Sequence, residues 1–111
     1  MRTLLLLLAV GCQSGTAETG EVPAHCSDAP VLTWANFGES FLTQYCQACH
    51  SASSPNRNGA PEDVRFDTEE EAWSWAEEIL SVTTSTPPRM PPEGGVHEDD
   101  QQKLTWWLDC N

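Results

Sequence analysis

Apolar side chains recur at helical spacing in three segments of the chain. They repeat at intervals of three and four in residues 33–48 and 67–82, and again from about Glu98 to Asp109. The positions are Trp34, Phe37, Phe41, Leu42 and Tyr45; then Ala72, Trp75, Ala76, Ile79 and Leu80; then Leu104, Trp107 and Leu108. Side chains at these intervals share one face of a helix. The pattern therefore predicts three amphipathic helices.

Two of these segments begin with helix-capping residues. Thr33 is predicted to be the N-cap of the first helix. Thr68 with Glu71 matches a capping box for the second, where three consecutive glutamates also favour the positive end of the helix dipole. Gly38 lies inside the first helix, at a cost of about 1 kcal/mol relative to alanine. We therefore expect a packing reason for this glycine.

The N-terminus has the pattern of an exported lipoprotein. Residues 1–11 begin with Arg2 and continue with an apolar run from Leu4 to Val10, which is too short to span a bilayer and is typical of a signal peptide. The sequence Leu8-Ala9-Val10-Gly11-Cys12 resembles a lipoprotein processing site, although Leu is commoner than Ala at position 9. We expect Cys12 to be lipidated. The alternative is an ordinary signal peptide that ends near Cys12.

Residues 12–32 are predicted to be a flexible, lipid-anchored tether. The composition there turns to Ser, Gly, Thr, Glu and Pro, with no periodic apolar face. Gln13 rather than Asp follows Cys12, which by analogy with bacterial lipoproteins fits sorting to the outer membrane. The predicted location is thus the periplasmic side of the cell envelope, with residues 33–111 as the folded domain.

Composition limits both the core and the partners. The chain has 111 residues, 39% of them hydrophobic, and a formal net charge of −12. This allows one small domain with little apolar core of its own. The charge makes nucleic acid and anionic lipid surfaces poor partners. A partner with a basic patch fits it, and so does acidity that only maintains solubility.

The run Cys46-Gln47-Ala48-Cys49-His50 carries the candidate chemistry. Two thiols three residues apart can add to the two vinyl groups of one haem, and the adjacent His50 can bind the iron. A redox dithiol, half of a zinc site and a plain disulfide are the alternatives. The first of these requires a βαβ context and the second another ligand pair, and the sequence contains neither. The run therefore predicts one covalent haem c per chain.

Residues 33–111 resemble a small class I cytochrome c. The resemblance rests on four features in order: Gly38 with Phe41 and Leu42, the C-x-x-C-H run, Gly59-Ala60-Pro61, then Met90-Pro91-Pro92 before a closing helix with Leu104 and Trp107. It implies an all-α fold of about three main helices around the haem, with the first and last helices crossing at Gly38. It also implies that the Pro61 carbonyl accepts a hydrogen bond from His50.

Met90 is the predicted second axial ligand. Four prolines surround it, at positions 87, 88, 91 and 92, and they restrict the backbone that must hold a weak thioether ligand in place. Rival ligands are His25 in the tether and His97 at the start of the last helix, and an open site is also possible. Met/His ligation raises the haem potential relative to harder ligands.

Each of the five cysteines of the chain can be assigned a role. Cys46 and Cys49 are assigned to haem and Cys12 to lipid, which leaves Cys26 and Cys110 on either side of the domain. If the first and last helices cross, these two cysteines come close enough to form a disulfide.

The roles of two further sites stay open. Arg57 either pairs with a haem propionate or is a solvated loop residue. Similarly, Trp73 or Trp75 either contacts a propionate or belongs to the core.

Three functions compete. The leading hypothesis is a single-electron carrier with His50 and Met90 as axial ligands. The second is a haem-based sensor in which Met90 is displaced by a ligand, and the third is a haemless interaction module stabilised by zinc or disulfides. No carboxylate pair, nucleophile with its base, phosphate loop or second C-x-x-C-H run appears in the sequence, so an enzyme is not expected. The sequence does not indicate an oligomeric state.

Overall fold

All regular structure between residues 20 and 111 is helical in the computed structural model, which describes these residues. The α-helices are α1 (Glu39–Tyr45), α2 (Gln47–His50), α3 (Glu69–Ser74), α4 (Ala76–Thr84) and α5 (Glu98–Cys110), with a 3₁₀ turn at Ala24–Cys26 and a π-helical segment at Trp34–Gly38. The all-α prediction is confirmed. The predicted signal peptide, Cys12 and the first part of the tether lie outside the described residues. Within residues 20–111, none of the helices has the length and apolarity needed to cross a membrane.

The first predicted helix consists of three pieces. Thr33 caps it as expected: its hydroxyl accepts from the Asn36 backbone at 3.1 Å, and the Asn36 side chain accepts from the Thr33 N–H at 2.7 Å. The π-helical segment then leads directly into α1. At Cys46 the backbone departs from helical geometry, with φ −125° and ψ −36°. The short helix α2 follows, so the C-x-x-C-H run begins at a break rather than inside a continuous helix.

The second predicted helix is also interrupted. Its capping box is confirmed, with the Thr68 hydroxyl accepting from the Glu71 N–H and the Glu71 carboxylate accepting from the Thr68 N–H, both at 3.2 Å. The break falls at Trp75, with φ −114° and ψ 16°. After it, α4 continues to Thr84, two residues beyond the predicted end.

Gly38 is a point of close contact between the first helical segment and α5. A Cβ atom on Gly38 would lie 2.9 Å or less from three ring atoms of Trp107, whose side chain is almost completely buried. Trp107 also packs against Phe37 and Trp73, at ring-centroid distances of 6.0 and 5.6 Å. Only glycine admits the indole this close to the backbone, so the predicted crossing at Gly38 is confirmed.

The segment before the first helix is fastened to the end of α5. Cys26 and Cys110 are joined by a disulfide. Beside it, His25 Nε2 lies 2.6 Å from Asp109 Oδ2, and Trp106 Nε1 donates to the His25 carbonyl at 3.0 Å. These contacts fix residues 25 and 26, which the sequence had assigned to the flexible tether, against the end of the domain.

Candidate functional site

Helices α1, α2 and α4 and the loops that follow α2 and α4 line a large cavity. Its volume is about 850 Å³, within the range of roughly 300–1,000 Å³ found for small-molecule and cofactor sites. Apolar side chains supply most of its wall. The site residues predicted from sequence that line it are Cys46, Cys49, His50, Pro61 and Met90. The cavity therefore gathers the residues of three separate sequence motifs.

The break between α1 and α2 presents both thiols and the imidazole to this cavity. Because α2 is a single turn, the N–H groups of Cys49 and His50 both donate to the Cys46 carbonyl, at 3.1 and 2.9 Å. Neither cysteine of the pair is in a disulfide. Burial, and secondarily the nearby Cys49, raises the pKa of the Cys46 thiol to about 12. Cys46 therefore remains a neutral thiol at physiological pH.

The imidazole of His50 is fixed by two neighbours. Its Nδ1 lies 3.0 Å from the Val64 carbonyl oxygen, and its ring stacks on Phe66 with centroids 4.9 Å apart. A carbonyl can only accept, so Nδ1 carries the proton of the neutral ring and Nε2 keeps its lone pair. This is the tautomer in which a histidine binds a metal through Nε2.

The predicted role of Pro61 is wrong in this structure. Its carbonyl accepts from Arg57 Nη2 at 2.7 Å, while His50 bonds to Val64, three residues further along. The reason is the path of the loop between α2 and α3, which brings Val64 rather than Pro61 beneath the imidazole. Pro61 nevertheless lines the cavity.

Arg57 is half-buried and hydrogen-bonded to the backbone of its own loop. Its guanidinium donates to four backbone carbonyls, those of Ser51 (2.6 Å), Pro61 (2.7 Å), Ala60 (3.3 Å) and Val64 (3.3 Å). A side chain with this many backbone partners holds the loop together by hydrogen bonds. Neither of the two roles expected for Arg57 includes this contribution.

Met90 lies on the loop between α4 and α5. Its backbone N–H donates to the Val82 carbonyl at 3.0 Å and that of Arg89 donates to the same oxygen at 2.8 Å, which ties the loop to α4. The Met90 side chain is 38% exposed. The rival ligands are elsewhere: His25 pairs with Asp109, and His97 is the N-cap of α5 and is not in the cavity wall.

The two tryptophans of the second helical segment have different surroundings. Trp75 lines the cavity, whereas Trp73 packs against Trp107 in the core. Three contacts had no specific sequence prediction: the Val64 carbonyl, the stacked ring of Phe66, and the Asn58 side-chain amide, which donates to Cys49 Sγ at 3.3 Å. Phe66 alone left a signal, as the only aromatic residue between His50 and the second helix.

Comparison with known proteins adds no relative. The chain matches no family model, no curated protein and no solved structure. The site geometry must therefore support any functional assignment.

The test of a haem site is the donor set. Two thiols, an imidazole with Nδ1 bound to a carbonyl, and a thioether all line one apolar cavity. These residues fit a covalently attached haem.

Proposed function

We propose that the protein is a monohaem c-type cytochrome that carries single electrons in the bacterial cell envelope. The observation that supports this most strongly is the shared cavity of Cys46, Cys49, His50 and Met90. Cys46 and Cys49 would hold the haem through thioether bonds, and His50 and Met90 would be its axial ligands. The bound haem would supply one-electron cycling between ferrous and ferric iron.

The polypeptide contributes position and environment. The Val64 carbonyl and the Phe66 ring orient His50, so that Nε2 is available without rearrangement. The loop bonds to Val82 restrain Met90, which suits a weak ligand. Apolar side chains supply most of the cavity wall, which lowers the polarity of the surroundings of a bound haem. With both axial positions filled by side chains, the proposed role is electron transfer and not catalysis.

The proposed partner is a redox protein with a basic docking patch. The net charge of −12 favours such an encounter and disfavours nucleic acid. Attachment to the membrane through a lipid on Cys12 would hold the domain on the periplasmic side of the outer membrane. Labelling with palmitate tests the anchor: wild type should be labelled and a Cys12→Ala variant should not, and equal labelling of both would exclude lipidation at this residue.

A haem-based sensor is the second candidate, and the position of Met90 on a loop favours it. The loop is tied to α4 only through the backbone N–H groups of Arg89 and Met90 among the bonds described above, and a weak thioether ligand held in this way can be displaced by an external ligand. Carbon monoxide added to the ferrous protein separates the two functions. An electron carrier should show no spectral shift at neutral pH in wild type and a shift in Met90→Ala. A rapid shift in wild type would favour the sensor.

A further inference from the structure

Arg57 is the only lysine or arginine in the cavity wall among residues 20–111. Its half-buried guanidinium uses four of its five N–H groups on backbone carbonyls. One of those carbonyls, that of Val64, is also the acceptor for His50. The Val64 oxygen thus lies between an arginine and the predicted axial ligand, 3.3 Å from Arg57 Nη2 and 3.0 Å from His50 Nδ1.

We propose that Arg57 is a positioning residue that raises the reduction potential of the site by sharing the Val64 carbonyl with His50. This inference rests on the proposed haem function. A carbonyl oxygen has two lone pairs and can accept both donors. Charge-assisted donation from the guanidinium draws electron density from the oxygen and leaves it a weaker acceptor for the imidazole N–H.

Two effects of Arg57 have the same sign. A weaker hydrogen bond at Nδ1 makes the imidazole less basic at Nε2, and a less basic axial ligand stabilises ferric iron less than ferrous iron. In addition, the positive charge of the guanidinium disfavours the more positive oxidation state. The other basic residue of the loop between α2 and α3, Arg65, is exposed, lies outside the cavity wall and pairs with Glu71 at 3.4 Å.

A purely structural role for Arg57 makes a different prediction. If the residue only holds the loop, its removal loosens the Val64 contact, and the bond from His50 weakens. If it polarises the carbonyl as proposed, its removal strengthens that bond. The Nδ1 proton of His50 in the ferrous protein reports the difference, because a stronger hydrogen bond moves its NMR resonance downfield.

The experiment compares the reduction potentials of Arg57→Gln, Arg57→Lys and Arg65→Gln with that of wild type by spectroelectrochemical titration of the haem-loaded proteins. Arg57→Gln should lower the potential by an amount equivalent to about a tenfold change in the electron-transfer equilibrium, ~59 mV for one electron. Arg57→Lys retains the charge but lacks the guanidinium donors, so its reduction potential should lie between those of Arg57→Gln and wild type. The matched control Arg65→Gln removes the same charge at an exposed site and should shift the potential much less.

Equal potentials for Arg57→Gln and Arg65→Gln, or an upfield shift of the His50 proton in Arg57→Gln, would overturn the inference. Should Arg57→Gln fail to accumulate, the Arg57→Lys variant decides the question. Lysine retains the charge but not the guanidinium, so an unchanged potential in this variant contradicts a role for the hydrogen bond from Arg57 to Val64. Failure of wild type itself to bind haem would instead contradict the proposed function. The two failures are therefore distinguishable.

Discussion

Side chains that bind backbone groups set the shape of the loop that follows His50. Asp67, just before α3, accepts from the Ser51 hydroxyl at 2.5 Å and from the Ala52 N–H at 2.8 Å. This carboxylate therefore joins the residues after His50 to the start of the next helix. The Ser51 hydroxyl and the Ala52 N–H lower the pKa of Asp67, and the charges of Arg65 and Arg57 add smaller contributions.

The Asp67 carboxylate should make the stability of the domain depend on acid pH. Because its pKa is lowered in the folded state, its contribution is present above about pH 3.9, the ordinary value for Asp, and is lost as the pH falls through the folded-state pKa. Denaturant unfolding at pH 7 should therefore show Asp67→Asn to be less stable than wild type. The difference in the free energy of unfolding between the two proteins should disappear below the folded-state pKa of Asp67.

Asp63→Asn is the matched control for this comparison. Asp63 is exposed in the same loop and accepts no side-chain hydrogen bond from any residue that the structure describes. Its substitution should leave stability nearly unchanged at both pH values. A difference between wild type and Asp67→Asn that stays constant down to the acid limit would contradict the account.

The acceptor of the His50 hydrogen bond shows where sequence reasoning ends at the scale of residues. The need for an acceptor follows from the chemistry of a metal-binding histidine. Its identity depends on the course of the loop, which Arg57 and Asp67 determine through contacts that no spacing rule encodes. The family resemblance therefore implied Pro61, while the folded loop brings Val64 to His50.

At the scale of elements, helix starts were predictable and helix interruptions were not. Thr33 and Thr68 cap their helices through local hydrogen bonds between residues three apart, which a sequence displays directly. The breaks at Cys46 and Trp75 carry no proline or glycine. Apolar spacing over one or two turns is nearly the same for a continuous helix and for two short helices in succession. Tertiary packing decides between them.

Gly38→Ala should destabilise the protein although it improves intrinsic helix propensity. The added methyl group overlaps the buried Trp107 ring, which is confined by Phe37 and Trp73. Overpacking of this kind costs about 1–3 kcal/mol, against a propensity gain of about 1 kcal/mol. Equilibrium denaturation should show a net loss. Gly20→Ala is the control, because a Cβ at Gly20 meets nothing within 4 Å. Equal stability of the two variants would contradict the close packing of Gly38 against Trp107.

The disulfide between Cys26 and Cys110 should contribute mainly through the unfolded chain. Its cysteines are 84 residues apart, and closing a loop of that length stabilises by about 4 kcal/mol in the chain-entropy model. Replacing both cysteines by serine should lower the free energy of unfolding by up to that amount, measured against the oxidised wild type. Two alkylatable thiols at these positions in native protein would show that the bond is absent.

At the scale of the whole molecule, a small core surrounds a large cavity. Nine hydrophobic residues are buried among those that the structure describes, while the cavity occupies about 850 Å³. Sequence composition predicted this shortage of apolar mass, and a bound haem would supply it. Covalent capture by Cys46 and Cys49 would then make the cofactor part of the folded structure, so we expect the haem-loaded protein to be the stable form.

The most direct test of the central claim is the intact mass and colour of the protein after acid-acetone extraction, following expression in a host that matures c-type cytochromes. The account predicts a red polypeptide whose mass, denatured and extracted, exceeds that of the chain by one haem, and a colourless Cys46→Ala, Cys49→Ala variant. A wild-type chain that is colourless, or that loses all its pigment to the solvent, would contradict it.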